Sequence, residues 1–299
     1  MKKTFLLLIC LLLCACSSSQ YNNNDNNNNN IESCNNNSKP YASKIYVISL
    51  DRTPERFSFV KNQLDEQNIK CEKFKAIDGY NLDFQNTETG KFLNAEEKKN
   101  FHNYSWENKP VKYNVVLGGC PLMQVIVNKV RFSLGEVGVA CSHREIWKEM
   151  IKNNYDSVII FEDDVILDKN FKSNLQEYMA DLPNDWDIAF LGVGRRNNKY
   201  GYFVCVGEIF RDIDNVENHP FVAKIQPTNL VYGMHGYIIN QRGARKLLNL
   251  TNTSDYPIDD IVFQQGGINT GKVKGYVAMK KMVEQKLNDS EIKRMGRSY

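Results

Sequence analysis

The stretch of sequence that decides the fold is Ser157-Val158-Ile159-Ile160-Phe161-Glu162-Asp163-Asp164. Its apolar part is rich in β-branched residues, which is typical of a strand buried inside a sheet. Three carboxylates follow at once, and they are called the acidic triplet below. Because side chains alternate along a strand, we expect Glu162 and Asp164 on one side and Asp163 on the other. The stretch therefore predicts a buried strand that delivers acidic groups to one edge of a sheet.

Short apolar segments alternate with helical patterns on both sides of this strand, and residues 135–143 lead into a further amphipathic helix. The other segments are strands over 44–50, 71–77, 187–192 and 236–239 and helices over 51–68 and 243–250. Such alternation predicts an α/β fold with a mostly parallel central sheet. Ligands of these sheets bind at the carboxyl ends of the strands, which is where the acidic triplet lies.

The acidic triplet is costly unless a cation lies beside it, because neighbouring carboxylates raise one another's pKa. Oxygen ligands of this kind favour Mg²⁺ or Mn²⁺, and such an ion could neutralise a diphosphate leaving group. The alternative is a turn or helix N-terminus whose acids are solvated.

Three further residues are candidates outside the triplet. Asp259 and Asp260 follow Pro257 and can open a helix over 261–265 as capping residues, unless one of them faces the cleft as a general base. His143 shares a helix face with Trp147 at i, i+4, where a lone histidine is more often structural than catalytic.

The first forty residues are predicted to lie outside the fold. Residues 1–16 have a basic start and an apolar run too short to span a bilayer, as in a signal peptide. They resemble a bacterial lipoprotein signal, which implies a lipid on Cys16 and a membrane-anchored lipoprotein of the cell envelope. An ordinary cleaved secretory signal is the alternative. Residues 17–40 are an Asn-rich disordered tether, and 41–299 are the domain, with a polar insertion without a clear period at about 86–131.

Composition excludes several classes of protein. The 299 residues hold 38 Lys+Arg and 35 Asp+Glu, so the formal net charge is only +3. This balance does not favour a nucleic-acid partner. Eight cysteines are too few for a disulfide scaffold at this length.

Taken together, the motifs resemble glycosyltransferase family 25. This family contains lipopolysaccharide galactosyltransferases and the collagen-modifying galactosyltransferase domain. The matching stretches lie in order over roughly residues 45–292: 45–52 with 55–56, 76–79, 135–138 with 142–143 and 146–147, 161–165, 186–192, 236–239 with 243–244, 257–259 and 285–292.

The resemblance implies a GT-A-like (Rossmann-like) fold and an inverting transfer of a hexose, typically galactose, from a UDP-sugar to a saccharide acceptor in lipopolysaccharide or envelope glycan. The acidic triplet would be the counterpart of the Asp-x-Asp metal motif. Asp164 and Glu162 would contact Mn²⁺ or Mg²⁺, and Asp163 would face the ribose. The other residues expected to bind the nucleotide-sugar are Leu50, Arg52, Arg56, Asp78 and His143.

By the same resemblance, Asp259 is the expected general base, and Asp260 is a second catalytic candidate. His235 is considered as a further metal ligand. Since an exported enzyme would not meet a cytoplasmic UDP-sugar, two other locations stay open: the cytoplasmic face of the membrane and a secretory lumen. A non-catalytic, glycan-binding surface lipoprotein with the same fold is the alternative function. A phosphoesterase would need a second metal cluster, which the sequence does not indicate.

Overall fold

A computed structural model of the chain describes residues 41–99, 101, 109–127, 133–196, 203–205, 214–225 and 231–286. The predicted signal peptide, Cys16 and the predicted tether lie outside these residues, as does most of the C-terminal matching stretch 285–292. In the described part of the chain, no helix is both long and apolar enough to cross a bilayer.

Strands and helices alternate along the described chain. The helices are α1 (Pro54–Glu66), α2 (Ala95–Lys99), α3 (Leu134–Lys152), α4 (Phe171–Asp181), α5 (Gln241–Leu250) and α6 (Ile258–Asp260). The strands are β1 (Lys44–Ser49), β2 (Glu72–Lys75), β3 (Asp83–Asn86), β4 (Val111–Leu117), β5 (Cys120–Val127), β6 (Ser157–Glu162), β7 (Val165–Leu167), β8 (Ile188–Phe190), β9 (Gly194–Arg196), β10 (Phe203–Cys205), β11 (Asp214–Val216), β12 (His219–Lys224), β13 (Val231–Tyr232), β14 (Gly236–Asn240), β15 (Thr253–Ser254), β16 (Gly275–Ala278) and β17 (Val283–Gln285).

Eight strands form the central sheet in the order β11-β12-β16-β8-β14-β6-β1-β2. β2, β1 and β6 pair in parallel, and so do β16 and β8. β14 runs antiparallel between β6 and β8, and β12 runs antiparallel between β11 and β16. Six of the eight strands therefore point the same way, which confirms the predicted α/β fold with a mostly parallel sheet.

Side chains of successive residues in β6 enter two different cores. Ile160 packs with Trp147 of α3 and Tyr237 of β14 in one core, whereas Phe161 packs with Val60 of α1 in the other. The sheet is therefore buried on both faces, as the continuous apolar run of β6 predicts. This burial fixes which side of the sheet each member of the acidic triplet can reach.

Helix α3 begins earlier than the sequence indicated. It starts at Leu134, where Ser133 and Glu136 form a capping box, so residues 135–143 lie inside the helix rather than before it. Glycine weakens helix interiors, yet Gly135 and Gly138 both lie inside α3. Gly138 instead allows close packing: a Cβ there would lie 2.6 Å from the Ile77 carbonyl oxygen.

The predicted insertion at about 86–131 contains regular structure in its described part. β4 and β5 form an antiparallel hairpin within a second sheet of order β15-β5-β4-β3. The turn is Gly118-Gly119, and both residues have positive φ values (55° and 83°), as a tight hairpin turn requires. Its role as a lid or an acceptor-side element stays a prediction.

Candidate active site

The acidic triplet lies at the carboxyl end of β6, where the chain turns through Asp163 and Asp164 into β7. β7 pairs with β17, and this pairing places Gln285 against the triplet. The Gln285 Nε2 atom lies 3.3 Å from Asp164 Oδ2 and 3.5 Å from Glu162 Oε2. One amide therefore contacts both Glu162 and Asp164, the two residues that strand alternation places on one side.

Asp164 is buried and Glu162 is partly buried, with a side chain 23% exposed, and neither carboxylate is fully compensated. Burial raises the pKa of Glu162 to about 7, with further increases from Asp163 and Asp259 and a decrease from Arg56. Burial likewise raises the pKa of Asp164 to about 7, and the Glu162 charge adds to the increase. The protein thus holds two acidic groups together at a free-energy cost that a bound cation would lower.

Asp163 forms an ion pair with an arginine. The Arg56 Nε atom of α1 donates to Asp163 Oδ1 over 2.7 Å, and the Arg56 Nη2 atom lies 3.4 Å from Asp164 Oδ2. The structure therefore brings Arg56, a predicted nucleotide-binding residue, onto the acidic triplet itself.

The remaining predicted residues of the nucleotide edge follow β1 and β2. Arg52 donates a hydrogen bond to Asp78, whose Oδ1 atom also accepts from the Tyr80 main-chain N–H over 3.2 Å. Asp78 thereby caps the 3₁₀ turn Gly79–Asn81. The carbonyl oxygen of Leu50, just after β1, accepts from the Thr53 N–H over 3.3 Å. Arg52 and Asp78 form an ion pair at a strand end, and Leu50 shapes the turn beside them.

His143 lies inside the site, on the core side of Glu162. Its Nδ1 atom is 2.8 Å from the Tyr237 hydroxyl oxygen, and its Nε2 atom is 3.6 Å from Glu162 Oε1. Burial lowers the pKa of His143 to about 3, and the Asp259 carboxylate opposes this shift. A neutral imidazole therefore faces an acidic group at the carboxyl end of β6.

Asp259 reaches this group from the far part of the chain. It lies in the short helix α6, which continues directly into the π-helical turn Ile261–Gln265. Its charge raises the pKa of both Glu162 and His143, so the structure brings it to the site. Asp260, in the same turn, donates its main-chain N–H to Asp259 Oδ1 over 3.0 Å.

The donor atoms at this site fit part of a divalent-cation site. Glu162 and Asp164 supply hard oxygen ligands of the kind that Mg²⁺ takes together with phosphate oxygens and water. Among the described side chains, no group of three or more His, Cys, Asp and Glu residues is arranged to bind a metal ion. His235 is buried near β6, and neither of its ring nitrogens makes a hydrogen bond within the described chain. Burial lowers the pKa of His235 to about 4.

Sequence reasoning missed three contributors to the site, namely Gln285, Tyr237 and Trp147. The Trp147 Nε1–H donates to the Tyr237 hydroxyl oxygen over 3.0 Å, beside the contact with His143. In the sequence, Trp147 and Tyr237 occupy apolar positions, as ordinary core residues do. Gln285 could be found only by knowing that β17 pairs with β7, because its partner in the register is Val165, 120 residues earlier.

Comparison with known proteins gives a consistent family. Residues 42–262 match the profile of glycosyltransferase family 25, described as an LPS biosynthesis protein. The chain is similar to procollagen galactosyltransferase 2 of Homo sapiens, with 26% identity over 208 residues that cover 69% of this chain and 27% of the relative. It is similar to procollagen galactosyltransferase 1-A of Xenopus laevis, with 28% identity over 211 residues, 69% of this chain and 28% of the relative.

A third relative bears a different name. The chain is 26% identical over 214 residues to the probable inactive glycosyltransferase 25 family member 3 of Bos taurus, which covers 71% of this chain and 29% of the relative. The chain therefore spans less than a third of the length of these curated relatives.

Proposed function

The chain belongs to glycosyltransferase family 25, and on that premise we propose that it is an inverting glycosyltransferase. It would move a hexose, galactose, from a UDP-sugar to a saccharide acceptor in lipopolysaccharide or another envelope glycan. The observation that carries the proposal is the group formed by Glu162, Asp164, Asp259 and His143 at the carboxyl end of β6. The galactosyltransferase names of two relatives support the choice of sugar.

An inverting transfer needs a single displacement at the anomeric carbon. Asp259 takes the proton from the acceptor hydroxyl as that oxygen attacks. Glu162 and Asp164 would hold Mn²⁺ or Mg²⁺, which when bound supplies positive charge to the departing diphosphate. Because both carboxylates are raised in pKa, the cation and the donor would be favoured together over either alone.

The nucleotide part of the donor would lie along the carboxyl ends of β1, β2 and β6. Asp163 would accept from the ribose hydroxyls, and its pairing with Arg56 holds its carboxylate in one orientation. Arg52 and Asp78 would contact the base and phosphates at the neighbouring strand end, close to Leu50. This arrangement follows the rule that α/β sheets bind ligands beyond the carboxyl ends of their strands.

The second candidate function is a non-catalytic surface lipoprotein that binds glycans with the same fold. The name of the Bos taurus relative, a probable inactive member of the family, favours it. In either case the chain would be anchored to the membrane of the cell envelope through a lipid on Cys16. A position at the cytoplasmic face or in a secretory lumen would give the enzyme direct access to UDP-sugars.

A turnover assay with two neighbouring substitutions separates these functions. The full chain in detergent is incubated with UDP-galactose, Mn²⁺ and candidate glycan acceptors, and released UDP is measured. We expect Asp259→Asn to lower turnover by roughly a hundredfold or more, the usual contribution of a general base. Asp260→Asn, one residue away, tests the second catalytic candidate, and a smaller loss than in Asp259→Asn would assign the base to Asp259.

Two results would contradict parts of this proposal, the first its general base and the second the transferase function. Equal turnover in Asp259→Asn and the unmodified chain would remove Asp259 as the base. Absence of UDP release with UDP-galactose, UDP-glucose and UDP-N-acetylhexosamines, together with retained glycan binding, would establish the second candidate function.

A further inference from the structure

A chain of polar contacts runs through the core behind the acidic triplet. The Trp147 Nε1–H donates to the Tyr237 hydroxyl oxygen over 3.0 Å, and that oxygen lies 2.8 Å from His143 Nδ1. The His143 Nε2 atom, at the far side of the ring, is 3.6 Å from Glu162 Oε1. All three aromatic side chains are fully buried. The contacts therefore link a helix interior to the carboxyl end of β6 without exposure to solvent.

The chemistry of these groups fixes the donor and the acceptor of each hydrogen bond. An indole N–H can only donate, so the Tyr237 oxygen must accept from Trp147. The Tyr237 hydroxyl keeps its own proton, because burial raises its pKa far above the ordinary value. Among the described residues, the atom in reach of that proton is His143 Nδ1, 2.8 Å from the hydroxyl oxygen. A proton on Nδ1 instead would leave the buried hydroxyl without an acceptor among the described residues, which costs free energy.

The other side of the ring favours the same arrangement. With Nδ1 as acceptor, the neutral imidazole carries its proton on Nε2. The opposite tautomer would point the Nε2 lone pair at the Glu162 carboxylate 3.6 Å away. The ring is fully buried, and burial favours the neutral imidazole over the charged one. Within the described chain Nε2 has no hydrogen-bond partner, so its N–H is left unsatisfied on the side of the ring that faces Glu162.

We propose that Tyr237 and Trp147 are positioning residues that lock His143 as the Nε2–H tautomer, so that the ring presents a hydrogen-bond donor to a substrate oxygen beside Glu162. The donor would bind a hydroxyl or phosphoryl oxygen of the nucleotide-sugar. The tautomer stands on the geometry alone, whereas its use in transfer rests on the proposed function.

Nitrogen NMR of the full chain labelled with ¹⁵N-histidine tests the tautomer without any substrate. The chain has 4 histidines, and His143→Gln assigns the signal of interest by its disappearance. At pH 7 we expect His143 to show a pyrrole-type Nε2 and a pyridine-type Nδ1. A pyrrole-type Nδ1, or averaged shifts from two exchanging tautomers, would overturn the proposal.

Two substitutions identify which neighbour sets the tautomer. Tyr237→Phe removes the hydroxyl at 2.8 Å but keeps the ring, and we expect the Nδ1–H form to appear in it. Glu162→Gln changes the group at 3.6 Å, beyond hydrogen-bond distance, and we expect the Nε2–H form to persist. The reverse pattern, or an unchanged spectrum in Tyr237→Phe, would show that Tyr237 does not control the ring.

Turnover then tests the role of the tautomer in transfer, with Tyr178→Phe as a matched control. Tyr178 is also fully buried, lies in the opposite core, and its hydroxyl has no partner among the described residues. We expect Tyr237→Phe to lower kcat about tenfold with KM within roughly twofold, and Tyr178→Phe to leave both unchanged. Equal kcat in the two variants would exclude a positioning role. If the unmodified chain shows no turnover with any donor, the proposed function fails, while the NMR result still decides the tautomer.

Discussion

Asp187 and Glu162 are two acidic side chains of the central sheet in opposite electrostatic environments. Asp187, which precedes β8 at the amino end of that strand, accepts from Arg242 Nε over 2.6 Å, Lys246 Nζ over 2.5 Å and the Lys274 N–H over 2.8 Å. Burial alone would raise the pKa of Asp187, but Arg242 and Lys246 together lower it below its ordinary value. Glu162, at the carboxyl end of β6, has a pKa raised to about 7.

The difference teaches how to distinguish a structural acid from a functional one. Asp187 ties helix α5 to the sheet, and Gly243 allows the close approach: a Cβ there would lie 2.2 Å from the Asp187 carbonyl oxygen. Its charge is satisfied within the protein. Glu162 and Asp164 share a glutamine amide, and Asp164 has one arginine nitrogen at 3.4 Å, which leaves negative charge for a ligand to neutralise.

The largest expected effect comes from replacing an aspartate of the acidic triplet by asparagine. The same replacement at Asp187 serves as the control. Asp164→Asn should lower hexose transfer by roughly a hundredfold or more, because it removes an oxygen ligand of the proposed cation. Its folding should be unimpaired, since the change also removes one of two neighbouring like charges. UDP release with UDP-galactose and Mn²⁺ measures the first effect, and circular dichroism during urea unfolding measures the second.

Asp187→Asn is the matched control for that measurement. Per folded molecule it should transfer hexose at the rate of the unmodified chain, because Asp187 lies at the opposite end of its strand from the site. If Asp164→Asn retains full activity, the acidic triplet does not carry the chemistry.

A smaller effect is expected on the stability of Asp187→Asn itself. The substitution leaves Arg242 and Lys246 without their carboxylate, but these side chains are 50% and 36% exposed and can be rehydrated. We therefore expect a loss of about 1–3 kcal/mol in the free energy of unfolding, below the value for fully buried pairs. Urea denaturation at pH 7.5 measures it, and a midpoint equal to that of Asp164→Asn would contradict the contrast between the two sites.

The smallest effect is a difference in pH dependence. The pKa of Glu162 has its ordinary value of 4.5 in the unfolded chain and is about 7 in the folded chain. Between these values the folded chain holds the extra proton, so the unfolding free energy falls as the pH rises through the window and levels off above it. Glu162→Gln removes this decline, so in the presence of a chelator its stability should increase relative to the unmodified chain from pH 4.5 to 7.

Asp187 should show the opposite sign. Its lowered pKa stabilises the fold above its ordinary value of 3.8, and that stabilisation is lost as the pH falls further. Urea unfolding at pH 3 compared with pH 5 follows Asp187→Asn, and urea unfolding at pH 5 and pH 7.5 follows Glu162→Gln. A constant difference between Glu162→Gln and the unmodified chain at both values would show that Glu162 is not raised in pKa by the fold.

Local sequence patterns predicted five of the eight strands of the central sheet and did not predict β11, β12 and β16. The predicted strands 44–50 and 236–239 correspond to β1 and β14, because continuous apolar runs have few other ways to be buried. Glycines weaken the helical pattern at the start of α3, whereas Gly138 is needed for contact with the Ile77 main chain. The β4–β5 hairpin was not predicted, because a register shift between Val115 and Val116 interrupts the alternation of buried residues in β4.

The candidate site was predictable only in part. Glu162 and Asp164 stood out because charge directly after a buried strand is costly. The positions of Gln285 and Tyr237 depend on which distant strands pair, and no local spacing carries that information. The direction of the Trp147–Tyr237–His143 chain of contacts likewise requires the distances between side chains.

The most direct test of the central claim is calorimetric titration of the full chain with UDP, with and without Mn²⁺. We expect UDP to bind the unmodified chain and Asp187→Asn at least about tenfold more tightly with Mn²⁺ than without it. We expect UDP binding to Asp164→Asn to be independent of Mn²⁺. UDP affinity that is equal with and without Mn²⁺, and equal in Asp164→Asn, would contradict the claim that the acidic triplet binds a cation and a nucleotide-sugar together.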